Sequence, residues 1–455
     1  MAIADQPALA TQVIDQPAAV DAPAVRWNLA TRIAFRFCFC YFGLYIVLTQ
    51  MLTSLLFATT NDSGAWELDN MRPIQAVVVW VASHVFHAAQ PVVTFETGSG
   101  DRVYDWVELA CILALAIIAT LVWSALDRKR QSYPKLYAWF RVFIRFSLAA
   151  TMLTYGAAKA IPLQMPFPDL RRLVEPYGNL SPMGVLWASI GASQAYEIFA
   201  GCAELFGGIL LIFPRTTTLG VLVCLADATQ VFMLNMTYDV PVKLLSFHMI
   251  LCSLLLLAPE AKRLANVFFL DRAASPSSAP PLFRRARANR IALVVQILFG
   301  LFLIGANLYG ALNTLKTYPY IAAATAKVPL YGIWNVEQFT VDGQPRPPLL
   351  TDATRWRRLI FEFPELVSIQ NMNEDRGAFY TAKIDLTAKL LALTKSSDKK
   401  WKADFTFAQP SPAEMVLDGS MDGHKVHAQM QLFDRSKFLL VTRGFHWIQD
   451  HPFNR

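Results

Sequence analysis

Along the chain the apolar residues gather into runs near 20 residues long, and from about Tyr331 the period changes to strict alternation. An α-helix rises about 1.5 Å per residue, so a run of about 20 apolar residues covers the roughly 30 Å of hydrocarbon in a bilayer. Seven segments reach that length: 30–57, 105–125, 137–160, 187–213, 217–237, 241–259 and 289–313. They predict seven transmembrane helices. In the alternating part, Tyr380, Ala382, Ile384 and Leu386 share one face against Thr381, Lys383 and Asp385. Ala403, Phe405 and Phe407 oppose Lys402, Asp404 and Thr406, and Val426, Ala428, Met430 and Leu432 oppose His427, Gln429 and Gln431. Period two means half-buried antiparallel strands. Turn signals at Asp342-Gly343, Asp375-Arg376-Gly377, Ser396-Ser397-Asp398, Pro410-Ser411-Pro412 and Asp422-Gly423 divide the strands, and the spacing predicts an all-β unit, a small barrel or a sandwich.

Composition agrees with this division. Apolar residues make up 54% of the 455, charged residues 16%, and the mean hydropathy is positive at +0.34, whereas about a quarter of an average soluble domain is charged. The charges that remain are placed asymmetrically. Arg26, Arg32 and Arg36 precede or open the first run; Arg128, Lys129, Arg130 and Lys135 lie between the second and third; Arg215 lies between the fourth and fifth. Lys262, Arg263, Arg272, Arg284, Arg285, Arg287 and Arg290 cluster between the sixth and seventh. Basic residues stay on the cytoplasmic side, so seven spans predict a cytoplasmic N-terminus and a C-terminal β domain on the periplasmic or extracytoplasmic side. The net charge of +7 sits mostly in these loops, where anionic lipid headgroups are the expected counterions, and no nucleic-acid partner is expected. Residues 1–25 read as a disordered tail without the pattern of a cleaved signal peptide. Cys38, Cys40, Cys111, Cys202, Cys224 and Cys252 all fall in predicted spans, where packing is their expected role.

Between the first two runs, Pro73 to His87 has apolar residues near helical spacing and reads as a helix lying on the membrane surface or packed on the bundle. His84 and His87 stand three apart there, but no carboxylate or cysteine accompanies them at ligand spacing, so no metal is expected. Gly98-Ser99-Gly100-Asp101 reads as a turn; a phosphate-cradling loop would need a preceding strand and a following lysine.

A polar group in hydrocarbon costs several kcal/mol unless it is paired or faces a cavity. Such groups concentrate in the third to sixth runs: Tyr155, Lys159, Ser193, Tyr196, Glu197, Glu204, Asp227, Gln230, Asn235, Asp239, Lys243, Ser246 and His248, with Gln164 just beyond the third. Glu197 and Glu204 are seven apart and share one side of a helix, and Lys159 and Lys243 supply opposite charges within reach of Glu197 and Asp239. Two accounts stay open at this point: ion pairs that hold a bundle together, or a buried acid/base cluster that handles protons for a lipid-soluble carrier. In the second, Glu197, Glu204, Asp239 and His248 are the candidate catalytic groups, and Tyr155, Lys159, Gln164, Tyr196, Asp227 and Lys243 the candidate binding groups. Haem, iron–sulfur and nucleotide fingerprints are not visible, so any cofactor is expected to be borrowed.

Tyr155-Gly156-Ala157-Ala158-Lys159-Ala160-Ile161-Pro162, then Gly201-Cys202-Ala203-Glu204 with Gly207-Gly208, and Tyr238-Asp239-Val240-Pro241-Val242-Lys243 with Ser246 and His248, resemble the DoxX family of bacterial membrane proteins over about 135–265. The whole chain resembles a long form that ends in Arg443-Gly444-Phe445-His446-Trp447-Ile448 and Pro452-Phe453-Asn454-Arg455. The resemblance implies a compact four-helix membrane bundle and, from members described as the small subunit of a thiosulfate:quinone oxidoreductase, a quinone as ligand and a soluble or membrane redox partner. Gly332-Ile333-Trp334 resembles the first strand of lipocalin-like barrels, with Arg443 in the place of the arginine that closes over the tryptophan. The expected layout is a tail at 1–29, two spans at 30–134, the bundle at 135–265, a linker at 266–288, a last span at 289–313 and the β domain at 314–455. Three functions remain in view: a quinone-linked or redox-associated component of a bacterial inner membrane, a non-enzymatic scaffold whose β domain binds a ligand or partner, and a small-solute transporter.

Overall fold

A computed structural model describes residues 26–57, 71–274, 280–317, 328–374 and 376–454. The expected tail over 1–25, the middle of the linker at 275–279, Asp375 of one turn signal and the terminal Arg455 lie outside the described residues. Among the described residues, seven helices are long and apolar enough to cross a membrane: α1 (Leu29–Leu48), α4 (Val103–Leu126), α5 (Pro134–Ala160), α8 (Gln194–Ile212), α9 (Thr217–Thr237), α10 (Lys243–Leu257) with its continuation α11 (Ala261–Phe268), and α12 (Ala286–Thr317). The protein therefore has the build of a multi-pass membrane protein with a separate β domain.

Two of the expected spans are interrupted. The first breaks where Thr49 takes an extended backbone, so that α2 (Gln50–Phe57) turns onto α5. The fourth breaks at Ala192-Ser193: Ser193 accepts the Tyr196 amide and starts α8, leaving α7 (Pro182–Gly191) as a short apolar helix of its own. Serine caps a helix because its hydroxyl replaces a missing backbone partner, and an apolar run does not reveal such a break. The predicted helix over Pro73 to His87 is α3 (Arg72–His84), which packs Val78 and Ala82 on Tyr104 and Val107 of α4.

Close approach of α5 and α8 organises the bundle. A Cβ on Gly156 would lie 2.8 Å from the Leu205 nitrogen, and one on Gly201 would lie 2.7 Å from the Gly156 oxygen, so glycine is required at both positions. α10 is anchored from outside its own neighbourhood: Asp101 accepts the backbone N–H groups of Lys243 and Leu244 at 2.7 and 2.9 Å, satisfying two of the donors a helix start leaves open. In the first half of α1, Arg36 is buried and its guanidinium donates to the Tyr133 hydroxyl, Ser124 Oγ and the Asp127 carbonyl.

The β domain is a closed barrel, which decides between barrel and sandwich. β1 (Gly332–Val341), β3 (Trp356–Phe363), β4 (Leu366–Asn371), β5 (Ala378–Asp385), β6 (Leu390–Lys395), β7 (Asp398–Ser411), β8 (Glu414–Met421) and β9 (His424–Leu432) each pair antiparallel with the next. β9 closes on β1, with Trp334 opposite Leu432 and Val341 opposite Val426; a two-residue β2 (Gln344–Pro345) extends the first hairpin. The signals Asp342-Gly343 and Asp422-Gly423 are tight hairpin turns with positive φ at both residues (51° and 77°, 50° and 86°), the backbone that Asp-Gly tolerates. Ala382, Ala403, Phe405, Phe407, Val426, Ala428 and Met430, all read from the alternation, join Trp334, Phe339 and Trp356 in the packed interior.

One expected contact is not made. Trp334 donates its indole N–H to the Leu330 carbonyl at 2.8 Å, while Arg443 lies on the exposed segment after β9, bonded to His446 and Gln449 and stacked on Phe453. The buried arginine is Arg355, whose guanidinium donates to the carbonyls of Val336 and Glu337 and of Trp356.

The barrel stands on the segment between α5 and α7. There a short α6 (Leu170–Leu173) packs Leu170 with Ile333 and Ile360. Glu362 Oε2 accepts the Leu170 amide at 2.8 Å, Arg171 lies 4.2 Å from the Phe379 ring, and Arg376 approaches Glu175 at 3.9 Å. Burial here, and then the nearby Asp169, push the Glu362 carboxyl up to about 7.

Candidate functional site

Because Gly156 and Gly201 let the antiparallel α5 and α8 touch, the side chains of Lys159 and Glu204 meet across the contact. Lys159 Nζ donates to Glu204 Oε1 at 2.5 Å, with both residues nearly excluded from the surface. The pair lines a cavity of about 310 Å³ bounded by α5, α7, α8, α9 and α10. Asp227, Gln164, Tyr155 and Tyr196 line the same space. Most of the remaining wall is apolar: Met152, Leu186, Trp187, Ile190, Val231 and Leu234. Tyr196 and Gln230 are exposed on α8 and α9, beside exposed Phe199 and Met233, so the cavity opens toward a face that is itself apolar.

Of the ten residues singled out in the sequence, six therefore come together: Tyr155, Lys159, Gln164, Tyr196, Glu204 and Asp227. The other four stand elsewhere. Glu197 is fully buried and accepts the Met165 amide at 2.8 Å, so it holds the segment that carries Gln164 and Met165 over the cavity and does not itself line it. Lys159 pairs with Glu204, not with Glu197. His248 faces α1: its ring stacks on Tyr45 at 3.6 Å and its Nε2 meets the Tyr41 hydroxyl at 2.8 Å. Ser246 lines the cavity, and a residue two positions on lies about 200° around the helix, which turns His248 away from it. Asp239 is exposed and pairs with Lys243 at 3.0 Å, as expected, while Lys243 also approaches Asp101 at 3.8 Å; this group caps the end of the bundle.

A second cavity of about 240 Å³ lies between α1, α4 and α10 and is more polar, with Gln50, Glu96, Arg102, Asp105 and Glu108 on its wall. Tyr155 is common to both cavities; its hydroxyl donates to Gln50 Oε1 at 3.1 Å and its ring lies 5.8 Å from Lys159 Nζ.

Comparison with known proteins finds one curated relative. The chain is similar to an uncharacterised protein, YwoB, of Bacillus subtilis (strain 168), at 28% identity over 139 residues, which is 30% of this chain and 84% of the relative. No family model matches the chain. No solved structure matches it either.

The α7 wall, Met183, Leu186, Trp187 and Ile190, was not read as part of a site. Its spacing of three, four and seven marks one face of a helix, of which the expected span at 187–213 took in only Trp187 and Ile190. Trp187 also donates to the Gln164 carbonyl at 3.1 Å, which ties that wall to the segment above it.

Proposed function

We propose that the chain is a redox-linked component of a bacterial inner membrane, DoxX-like in its middle bundle, and that the cavity between α5, α8, α9 and α10 receives a quinone-type molecule from the lipid. In this reading the N-terminus is cytoplasmic, and the barrel and the cavity lie toward the extracytoplasmic face. The carrying observation is an apolar-walled cavity with the Lys159–Glu204 pair and Asp227 inside it. A largely apolar pocket with a few convergent polar groups is the usual form of a small-molecule site. A lipid-soluble redox carrier takes up or releases protons with its electrons, and carboxylates beside an ammonium group can hold and pass a proton. A soluble or membrane protein would supply or accept the electrons.

The test is purification of the whole protein in mild detergent, followed by lipid extraction and mass spectrometry on the wild type and on Glu204→Gln. A quinone retained by the wild type and depleted at least about tenfold in the variant is the expected result, a loss of about 1.4 kcal/mol in binding. No quinone above background in either protein would leave the scaffold reading, in which the Lys159–Glu204 bond only joins two helices.

A further inference from the structure

Three buried side-chain oxygens on the cavity wall have no hydrogen-bond partner among the described residues: Gln164 Oε1, Glu204 Oε2 and Asp227 Oδ2. The amide oxygen is an acceptor, and the two carboxyl oxygens are acceptors in their ionised form. A buried acceptor without a partner costs about 1–3 kcal/mol, so three around one space describe the ligand that space is shaped for. Lys159 Nζ, the ammonium group on this wall, gives one of its three N–H donors to Glu204 Oε1 and rests over the Tyr155 ring, which directs it toward α8. Two carboxylates against one lysine leave the wall rich in acceptors and net acidic.

Resting on the reading of a quinone-type site, we infer that the cavity takes the reduced, dihydroxy form of its ligand: a quinol whose O–H groups donate to Glu204 and Asp227. A quinone has carbonyl acceptors only, which would face the same oxygens and leave them unsatisfied. A site built to bond a hydroxyl rejects the analogue that lacks the donor far more strongly than an apolar pocket rejects a change of one methylene. The aromatic ring of the ligand would lie among Met152, Trp187 and Leu234, with its tail directed past Tyr196 into the lipid.

The experiment uses the full chain in lipid nanodiscs under anaerobic conditions, with tryptophan fluorescence as the readout because Trp187 is part of the wall. A short-tailed quinol and its own quinone are titrated separately, and a long-chain primary amine serves as a second donor. The expected result is quinol binding at least about tenfold tighter than quinone binding in the wild type. In Asp227→Asn, which replaces an acceptor by an amide with two donors, that ratio falls to near one or inverts. Equal or tighter binding of the quinone by the wild type overturns the inference and leaves the quinone-type reading standing. Binding of neither form overturns that reading and the inference with it. Binding of the amine alone assigns the acceptors to a cationic lipid and overturns both.

Discussion

Asp101 is separated by 142 residues from the Lys243 amide it accepts, and it shows how one side chain can fix where a span begins. Neither the turn Gly98–Asp101 nor the start of α10 announces the other in sequence. Asp101→Ala is expected to remove both cap bonds and lower stability by about 1 kcal/mol, measured as a lower thermal midpoint of the full protein in detergent. Asp101→Asn, which keeps one acceptor, is expected to recover about half of that loss. Glu197 is a second residue whose work differs from its look. A carboxylate in an apolar helix reads as chemistry, yet here it holds the Met165 backbone. Glu197→Gln keeps an acceptor for that amide and is expected to change ligand affinity by less than about threefold, whereas Glu204→Gln changes it by tenfold or more; direct titration of both variants separates the two roles.

At the scale of elements, the contact between α5 and α8 decides whether a site exists. A side chain at Gly201 would collide with the backbone of Gly156, and overpacking of this kind costs about 1–3 kcal/mol. Gly201→Leu is expected to push the helices apart, and a cross-link between cysteines introduced at Ala157 and Leu205 reports the loss as slower disulfide formation. The long elements were legible in sequence because their periods are long: every expected span and the barrel strands read from alternation are present. What escaped were features set by one or two residues in a tertiary setting. Thr49 and Ser193 break helices inside apolar runs, and the facing of His248 follows from the packing of α1, which no period in α10 encodes. Lys159 and Glu204 meet because the lone charges of a membrane bundle must find one another; Asp239 and Lys243 found one another outside the cavity by the same rule.

For the whole molecule, the barrel and the bundle communicate through Glu362 and the segment that carries α6. The carboxyl is raised from its ordinary 4.5 to about 7 in the docked state, first by burial and then by Asp169, with the Leu170 amide and Arg435 opposing. The folded, docked form thus holds its proton over a range in which the undocked carboxyl has lost it. Docking is fully favourable below about 4.5, weakens as pH rises toward 7, and is constant above that. Hydrogen exchange of residues 163–175, corrected for the intrinsic pH dependence, is expected to show protection falling between pH 5 and 7 and flat in Glu362→Gln. The same stretch of chain is the ceiling of the cavity, through Gln164 and Met165, and the floor of the barrel, through Leu170, Arg171 and Glu175. A chimera that takes the barrel from one homologue and the bundle from another would therefore inherit a mismatched joint unless residues 161–191 travel with the barrel's contacts, and inheritance of the two parts as a single cassette is the constraint this shared stretch places on the protein's evolution.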